Sequence, residues 1–439
     1  MPPVAPLDLA VAGGMLALAG GALAAAWALT RAWPAEVRRK TVHVAAGGLA
    51  LGFPWIFPSD VSFALFIAAV TLGLAGLRAA RTAGRMGSLA RTVHGVARDS
   101  WGDLLLPVSI ALLWILQDDT PIRYVLPLAI LTVADAAAAL TGIAYGRLRF
   151  TAEAGAKTLE GTVMFFLVTL LTAMICLLLL SEVSRGAVIA IGAALAAFAT
   201  LVEVDSWKGL DNLFLPMGAL IFLDRAMTLD PVLLGFTTTL LVCGLLALGA
   251  LGRGVGVPMH DLRVAGIGIF LLMAVTTPWN AGLPTAVIIA QLAIDRLRPA
   301  DQRGGALGVV GLLACLGFAS LALGDLSGHT MIGFYTLAAA AGLAGLLAGL
   351  AGHDALPRRL ARAGGIAVGG GAAWGGAMAL TPADALWAAH LPGSGPLLIL
   401  ATALVAAARA PHRQDRSAVW ILGGSAAGAG SLALASALV

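Results

Sequence analysis

Lysine is nearly absent from this chain: three residues in 439, against 24 arginines. Charge of either sign is scarce, at 11%, where a soluble domain carries about 25%. That deficit argues against a soluble globule. The net charge of +4 is spread over many loops and not gathered into a patch, so no nucleic-acid partner is expected. Cysteine is limited to Cys176, Cys243 and Cys315, each alone in an apolar run, which leaves neither a disulfide framework nor a thiolate metal site. No Gly-x-x-x-x-Gly-Lys-Ser/Thr loop occurs. The glycine pairs and triplets at Gly364-Gly365 and Gly369-Gly370-Gly371 are not followed by lysine, so a P-loop is not supported.

What is present is apolar. Hydrophobic residues make up 59% of the chain and the mean hydropathy is +0.93. Runs of membrane-spanning length recur from end to end, continuous and not alternating, which argues for helices over a β-barrel. The expected fold is an all-α polytopic transmembrane bundle of about 14–16 spans. In the first half they fall near 8–29, 44–58, 61–77, 104–116, 124–146, 160–180, 186–204 and 212–223, and eight more run from 232–252 to 418–438. No basic residue precedes the first run, Leu7 to Leu29, so it reads as a span and not as a cleaved signal.

The loops alternate in charge. One set holds 24 of the 27 basic residues; the other holds Arg123, Arg185 and Arg225. The positive-inside rule puts the rich set in the cytoplasm and both termini outside, as expected for an integral protein of the cell membrane. The segments bearing Lys40, Lys157 and Lys208 then share the cytoplasmic side, where nucleotides are available.

Asp135 interrupts the run from Tyr124 to Gly146, and a carboxylate inside a span costs about 2.5–3.5 kcal/mol on insertion scales. A polar cavity or a partner justifies that cost; a helix–helix contact is the plainer alternative. Gly142 and Gly146 follow on one helical face, next to Arg147, and let a helix or ligand approach the backbone closely. Lys157-Thr158-Leu159-Glu160-Gly161 opens the next span. Thr158 is placed to cap that helix, whose positive end suits a phosphate with Lys157 as point charge, and Glu160 is a candidate Mg²⁺ ligand. An ordinary interfacial lysine and first-turn glutamate would look the same. Arg38-Arg39-Lys40-Thr41-Val42-His43 is a basic juxtamembrane run, most simply a topology signal, with His43 available to position or deprotonate a hydroxyl. Glu203, Asp205, Asp211 and Asn212 crowd ten residues in a chain with only five glutamates, and read as a hard-metal site or as a polar turn.

In order and spacing these segments resemble the CTP-dependent polyprenol kinase family, which includes phytol, dolichol and diacylglycerol kinases. Arg39-Lys40-Thr41-Val42-His43 is similar to its Arg-Lys-x-x-His element. Asp135 with Gly142 and Gly146 is similar to its Asp…Gly-x-x-x-Gly segment. Lys157 to Gly161 is similar to its Lys-Ser/Thr-x-Glu-Gly signature, and Glu203 with Asp211 to Pro216 to its Glu…Asp-Asn-Leu-x-x-Pro element. The resemblance covers about residues 30–226. It implies transfer of the γ-phosphate of CTP to a lipid alcohol, with Mg²⁺. Asp135, Lys157 and His43 would be catalytic. Arg39, Lys40, Gly142, Gly146, Arg147 and Thr158 would hold the nucleotide, and Glu160, Glu203 and Asp211 the metal. Residues 1–230 are expected to form this kinase-like domain, and 231–439 a second helical membrane domain with no lysine and no matching element. A cytidylyltransferase making a CDP-lipid and a lipid or solute transporter are the competing readings.

Overall fold

The computed structural model describes residues 5–82, 101–152, 155–206, 209–255, 257–276, 278–297, 305–328, 330–350, 355–381, 391–409 and 417–437. Lys208 and most of the basic loop from Arg78 to Arg98 lie outside them, as do Asp301, Asp354, Asp384 and Asp415. The chain divides into two compact units, Met1–Thr239 and Leu240–Val439.

Unit 1 begins with α1 (Pro6–Thr30), α2 (Ala35–Leu51), the single turn α3 (Phe53–Ile56), α4 (Asp60–Thr82) and α5 (Gly102–Leu116). Helix α6 (Pro121–Ala129) continues through one π-helical turn, Ile130–Ala134, into α7 (Asp135–Tyr145). A hairpin of β1 (Arg149–Ala152) and β2 (Gly155–Thr158) follows, then α8 (Leu159–Leu180), α9 (Arg185–Val204) and α10 (Asp211–Thr228). Helix α11 (Pro231–Val255) carries the chain across the unit boundary. Unit 2 comprises α12 (Met259–Val275), α13 (Pro278–Leu297), α14 (Gly305–Ser327), α15 (Ile332–Gly349), α16 (Leu356–Ala379), α17 (Leu391–Arg409) and α18 (Ser417–Ala437).

The architecture is all-α and polytopic. On length and composition, seven helical stretches among the described residues are each sufficient to cross a membrane: Pro6–Thr30, Asp60–Ala80, Pro121–Tyr145, Leu159–Leu180, Arg185–Val204, Gly305–Ser327 and Ile332–Gly349. The basic run before the span expected at residue 44 is itself part of α2, which begins at Ala35, so Lys40 and His43 are helical. The expected loop between Gly146 and Lys157 holds the hairpin. Its strands are antiparallel, with Phe150 opposite Lys157 and Arg149 opposite Thr158. Gly155, paired with Ala152 at the start of β2, has φ 121°, a conformation open mainly to glycine.

Local chemistry explains the element ends. Thr158 caps α8 by accepting from Gly161 N at 3.2 Å, and Ser184 caps α9 by accepting from Ala187 N at 3.3 Å. Pro121 starts α6, where its missing N–H costs nothing, whereas Pro127 lies inside that helix. A proline there removes one backbone hydrogen bond and crowds the preceding turn. The π-turn begins three residues later.

Tyr124, Phe165 and Phe198 are fully buried in the unit 1 core, and Phe198 stacks on Phe222 with ring centroids 4.7 Å apart. The ends of α2 and α6 differ in character. Beyond the C-terminus of α2, Phe53 packs edge-on to Phe57 and Phe66, and Phe63 stacks on Trp114 at 4.1 Å. At the start of α6, Arg123 grips Asp224 with two hydrogen bonds of 2.8 Å. The charged cluster described next lies at the opposite ends of these helices, where Asp135 is twelve residues, about 18 Å, from Arg123.

In unit 2, α15 is the central helix, packed by α13, α16, α17 and α18. Its Ala- and Gly-rich surface permits this: a Cβ at Gly345 would meet the Ile421 side chain at 2.5 Å.

Candidate active site

On α2, Lys40, His43 and Gly47 recur at i, i+3 and i+7 and so share one helix face. That face meets the π-turn and the start of α7. The Lys40 side chain is only 5% exposed, and its ammonium donates to Asp135 Oδ2 at 2.5 Å. An ammonium and a carboxylate taken out of water are tolerated when paired in this way. His43 Nε2 donates to the Leu131 carbonyl at 3.3 Å and lies 3.9 Å from the same Asp135 oxygen.

Lys157 ends β2. Its ammonium donates to Glu203 Oε1 at 2.8 Å and also to the Glu203 backbone carbonyl. Glu203 lies in the last turn of α9, where unpaired carbonyls and the negative end of the helix favour a cation.

Asp211, in the first turn of α10, is half-buried and has no hydrogen-bond or ion-pair partner among the described residues. It lies within the fields of Asp135, Lys40, Lys157 and His43, and Glu203 feels both Asp135 and Asp211. Two lysines, three carboxylates and one imidazole, drawn from α2, α7, β2, α9 and α10, therefore form one electrostatic neighbourhood.

Other expected site residues have different partners. Glu160 does not join the acids: its carboxylate accepts from the backbone N–H groups of Arg147 and Leu148 at 3.0 and 3.1 Å, latching α8 to the start of the hairpin. Gly142 and Gly146 do not face an open groove. The space of a Cβ at Gly142 is taken by Thr158 Oγ1 at 2.8 Å, and at Gly146 by Thr158 Cγ2 at 2.5 Å. Gly161 lies 3.6 Å from the Gly142 backbone when given a Cβ. These glycines are explained by close packing of α7 on the capped end of α8, and Thr158 by the cap itself. Arg39 pairs with Glu36 at 2.5 Å on the surface, and the Arg147 side chain is exposed.

One residue the sequence reading passed over, Leu131, and one it named, Asn212, also matter. The Leu131 carbonyl that holds His43 belongs to the π-turn, for which no sequence signal exists. Asn212 Nδ2 donates to the Gly102 carbonyl at 2.7 Å, tying α10 to the start of α5 and so fixing Asp211.

Among the described residues no group of three or more His, Cys, Asp or Glu side chains gathers as a metal cluster. The donor set fits a cation carried in by a polyanion better than a resident one. Mg²⁺ takes one or two carboxylates plus phosphate oxygens and retained waters, and Asp211 offers an unengaged carboxylate beside two lysines. Among the described residues both lysines are paired with an acid, Lys40 with Asp135 and Lys157 with Glu203.

A phytol kinase of Synechocystis sp. is 29% identical to this chain over 189 residues, covering 42% of this chain and 77% of that protein. This similarity supports a distant relationship to polyprenol-kinase-like proteins. No family model matches the chain, and no solved structure matches it.

Proposed function

We propose that unit 1 is a membrane-embedded kinase that moves the γ-phosphate of CTP to a lipid alcohol, a prenol by preference, at the cytoplasmic face of the cell membrane. The observation that carries this reading is the meeting of Lys40, Asp135, Lys157, Glu203 and Asp211 at one end of the bundle. Similarity to a phytol kinase supports the substrate class.

Phosphoryl transfer asks for positioning and charge stabilisation more than for covalent chemistry. Lys157 and Lys40 supply positive charge for the triphosphate, Lys157 from a strand end fixed by the α8 cap. Asp211 would hold Mg²⁺, with Glu203 beside it; the ion, when bound, neutralises charge on the phosphate oxygens. Asp135 keeps Lys40 and His43 in place. His43 accepts the proton of the attacking hydroxyl. The apolar helices around the site keep the substrate tail in the bilayer.

The test is label transfer by purified protein in detergent, with Mg²⁺, CTP, and phytol, geranylgeraniol, a polyprenol or diacylglycerol as acceptor. γ-Labelled CTP is expected to give a labelled prenyl phosphate. Label entering lipid from α-labelled CTP makes the protein a cytidylyltransferase. Absence of lipid labelling from either nucleotide, with all acceptors, overturns the reading in favour of a carrier.

A further inference from the structure

The π-turn at Ile130–Ala134 joins α6 to the residue that pairs with Lys40, and three features of it stand together. The Leu131 carbonyl accepts from His43 Nε2 at 3.3 Å. A carbonyl cannot donate, so this bond places a proton on Nε2 and leaves Nδ1 as the acceptor of the neutral ring. Thr132, the next residue, is 1% exposed, and its hydroxyl has no hydrogen-bond partner. A helical threonine ordinarily returns that bond to the carbonyl one turn back; here the hydroxyl is pressed against α2 instead. The opposing residue is Gly47. A Cβ there would overlap Thr132 Oγ1 and would lie 2.6 Å from its Cγ2 and 2.9 Å from its Cβ. No smaller residue than glycine exists, so on the α2 side nothing more can be removed, and the Thr132 side chain sets the separation of α2 and the π-turn.

We propose that the Gly47–Thr132 contact is a positioning device for His43: it seats the π-turn against α2, presents the Leu131 carbonyl to Nε2, and thereby fixes the tautomer in which Nδ1 accepts the substrate proton. The catalytic half rests on the kinase reading; the tautomer half does not. In the transfer, the alcohol O–H proton passes to Nδ1 as that oxygen bonds the γ-phosphorus. The bond from the γ-phosphorus to its bridging oxygen breaks, and CDP leaves with the electron pair. Gly47 and Thr132 touch neither substrate nor the reacting atoms; they act through His43.

The test reads both halves separately. The protein contains seven histidines, and a His43→Gln control identifies the His43 signals in ¹⁵N-histidine spectra at mildly alkaline pH. The wild type is expected to show His43 with a protonated Nε2 and an unprotonated Nδ1. Gly47→Ala pushes Thr132 away, and is expected to give a tautomer mixture and a fall in kcat of about 100-fold, within the range for loss of a positioned acid–base group, with KM changed far less. Gly47→Ala/Thr132→Gly removes every clashing atom and should restore the single tautomer and most of kcat. Thr132→Gly alone opens the same contact from the other side. It should show the mixture too, and its comparison with the double variant decides the matter if Gly47→Ala fails to fold. An unchanged His43 spectrum in the single variants, or no recovery in the double variant, overturns the inference. A wild type with the expected tautomer coupling but no lipid phosphorylation leaves the device standing and sinks the kinase reading.

Discussion

In unit 1 the buried cations reach acids far along the chain: Lys40 to Asp135 across 95 residues, and Lys157 to Glu203 across 46. In unit 2 the fully buried Asp295 bonds close at hand, to Gln291 Nε2 four residues back and to the backbone N–H of Ala306 eleven residues on, both at 2.9 Å. The second arrangement is what folding asks for: an acid satisfying the first N–H groups of α14 and a neighbouring amide on its own helix. The first is not. Apolar side chains of similar volume would serve stability as well as a buried ion pair, since desolvation offsets most of the Coulomb gain. Charge placed across a bundle against that cost, beside the carboxylate of Asp211, is the feature on which the proposed kinase site in unit 1 rests.

Removing a member of a cross-bundle pair is the strongest way to break that contrast. Lys157→Ala and Asp135→Asn are each expected to lower γ-phosphate transfer by about 1,000-fold, in the range for loss of a charge-stabilising donor, with the protein still inserted in membranes. Full activity in both variants would mean that the long-range pairs are structural and the units differ only in style.

Asp211→Asn sharpens the comparison inside unit 1. Among the described residues Asp211 has no direct partner to lose, so thermal stability should be unchanged, while the Mg²⁺ concentration for half-maximal rate rises by about 10-fold or more. Glu160→Gln is the counterpart. Its carboxylate serves backbone groups, so Mg²⁺ dependence should stay at the wild-type value while the Arg147 and Leu148 amides exchange hydrogen faster. A shifted Mg²⁺ dependence in Glu160→Gln, and none in Asp211→Asn, would reverse the two assignments.

Those two acids show what the sequence could and could not convey. Long apolar runs, rare lysines and the Lys157–Gly161 cap follow local rules, so the helical class and the cap on α8 were legible. Lys40 and His43 stood out in the basic run before the span expected at residue 44, but their common face is legible only once that run is known to be helical; α2 begins at Ala35. The backbone N–H partners of Glu160 could not be read from composition, because they exist only once the hairpin has formed. Gly142 and Gly146 signalled a close approach correctly, yet spacing cannot say whether a helix or a ligand approaches. The π-turn had no legible signal, because one shifted hydrogen-bond register leaves no mark on hydrophobic periodicity.

The smallest effects belong to unit 2. Asp295→Asn keeps one acceptor oxygen where two are used, so either Ala306 N–H or Gln291 Nε2 loses its partner in a site with no exposure. An unsatisfied buried donor costs about 1–3 kcal/mol, and the loss should appear as lower thermal stability with lipid phosphorylation unchanged per folded molecule. Arg358→Ala goes further down the scale. The side chain is exposed in the first turn of α16, where a cation opposes the positive end of its own helix, so its removal should leave stability and transfer both within experimental error of wild type. A drop in phosphorylation from either change, at constant folded protein, would bring unit 2 into the reaction and erase the distinction between charge that caps a helix and charge that handles a substrate.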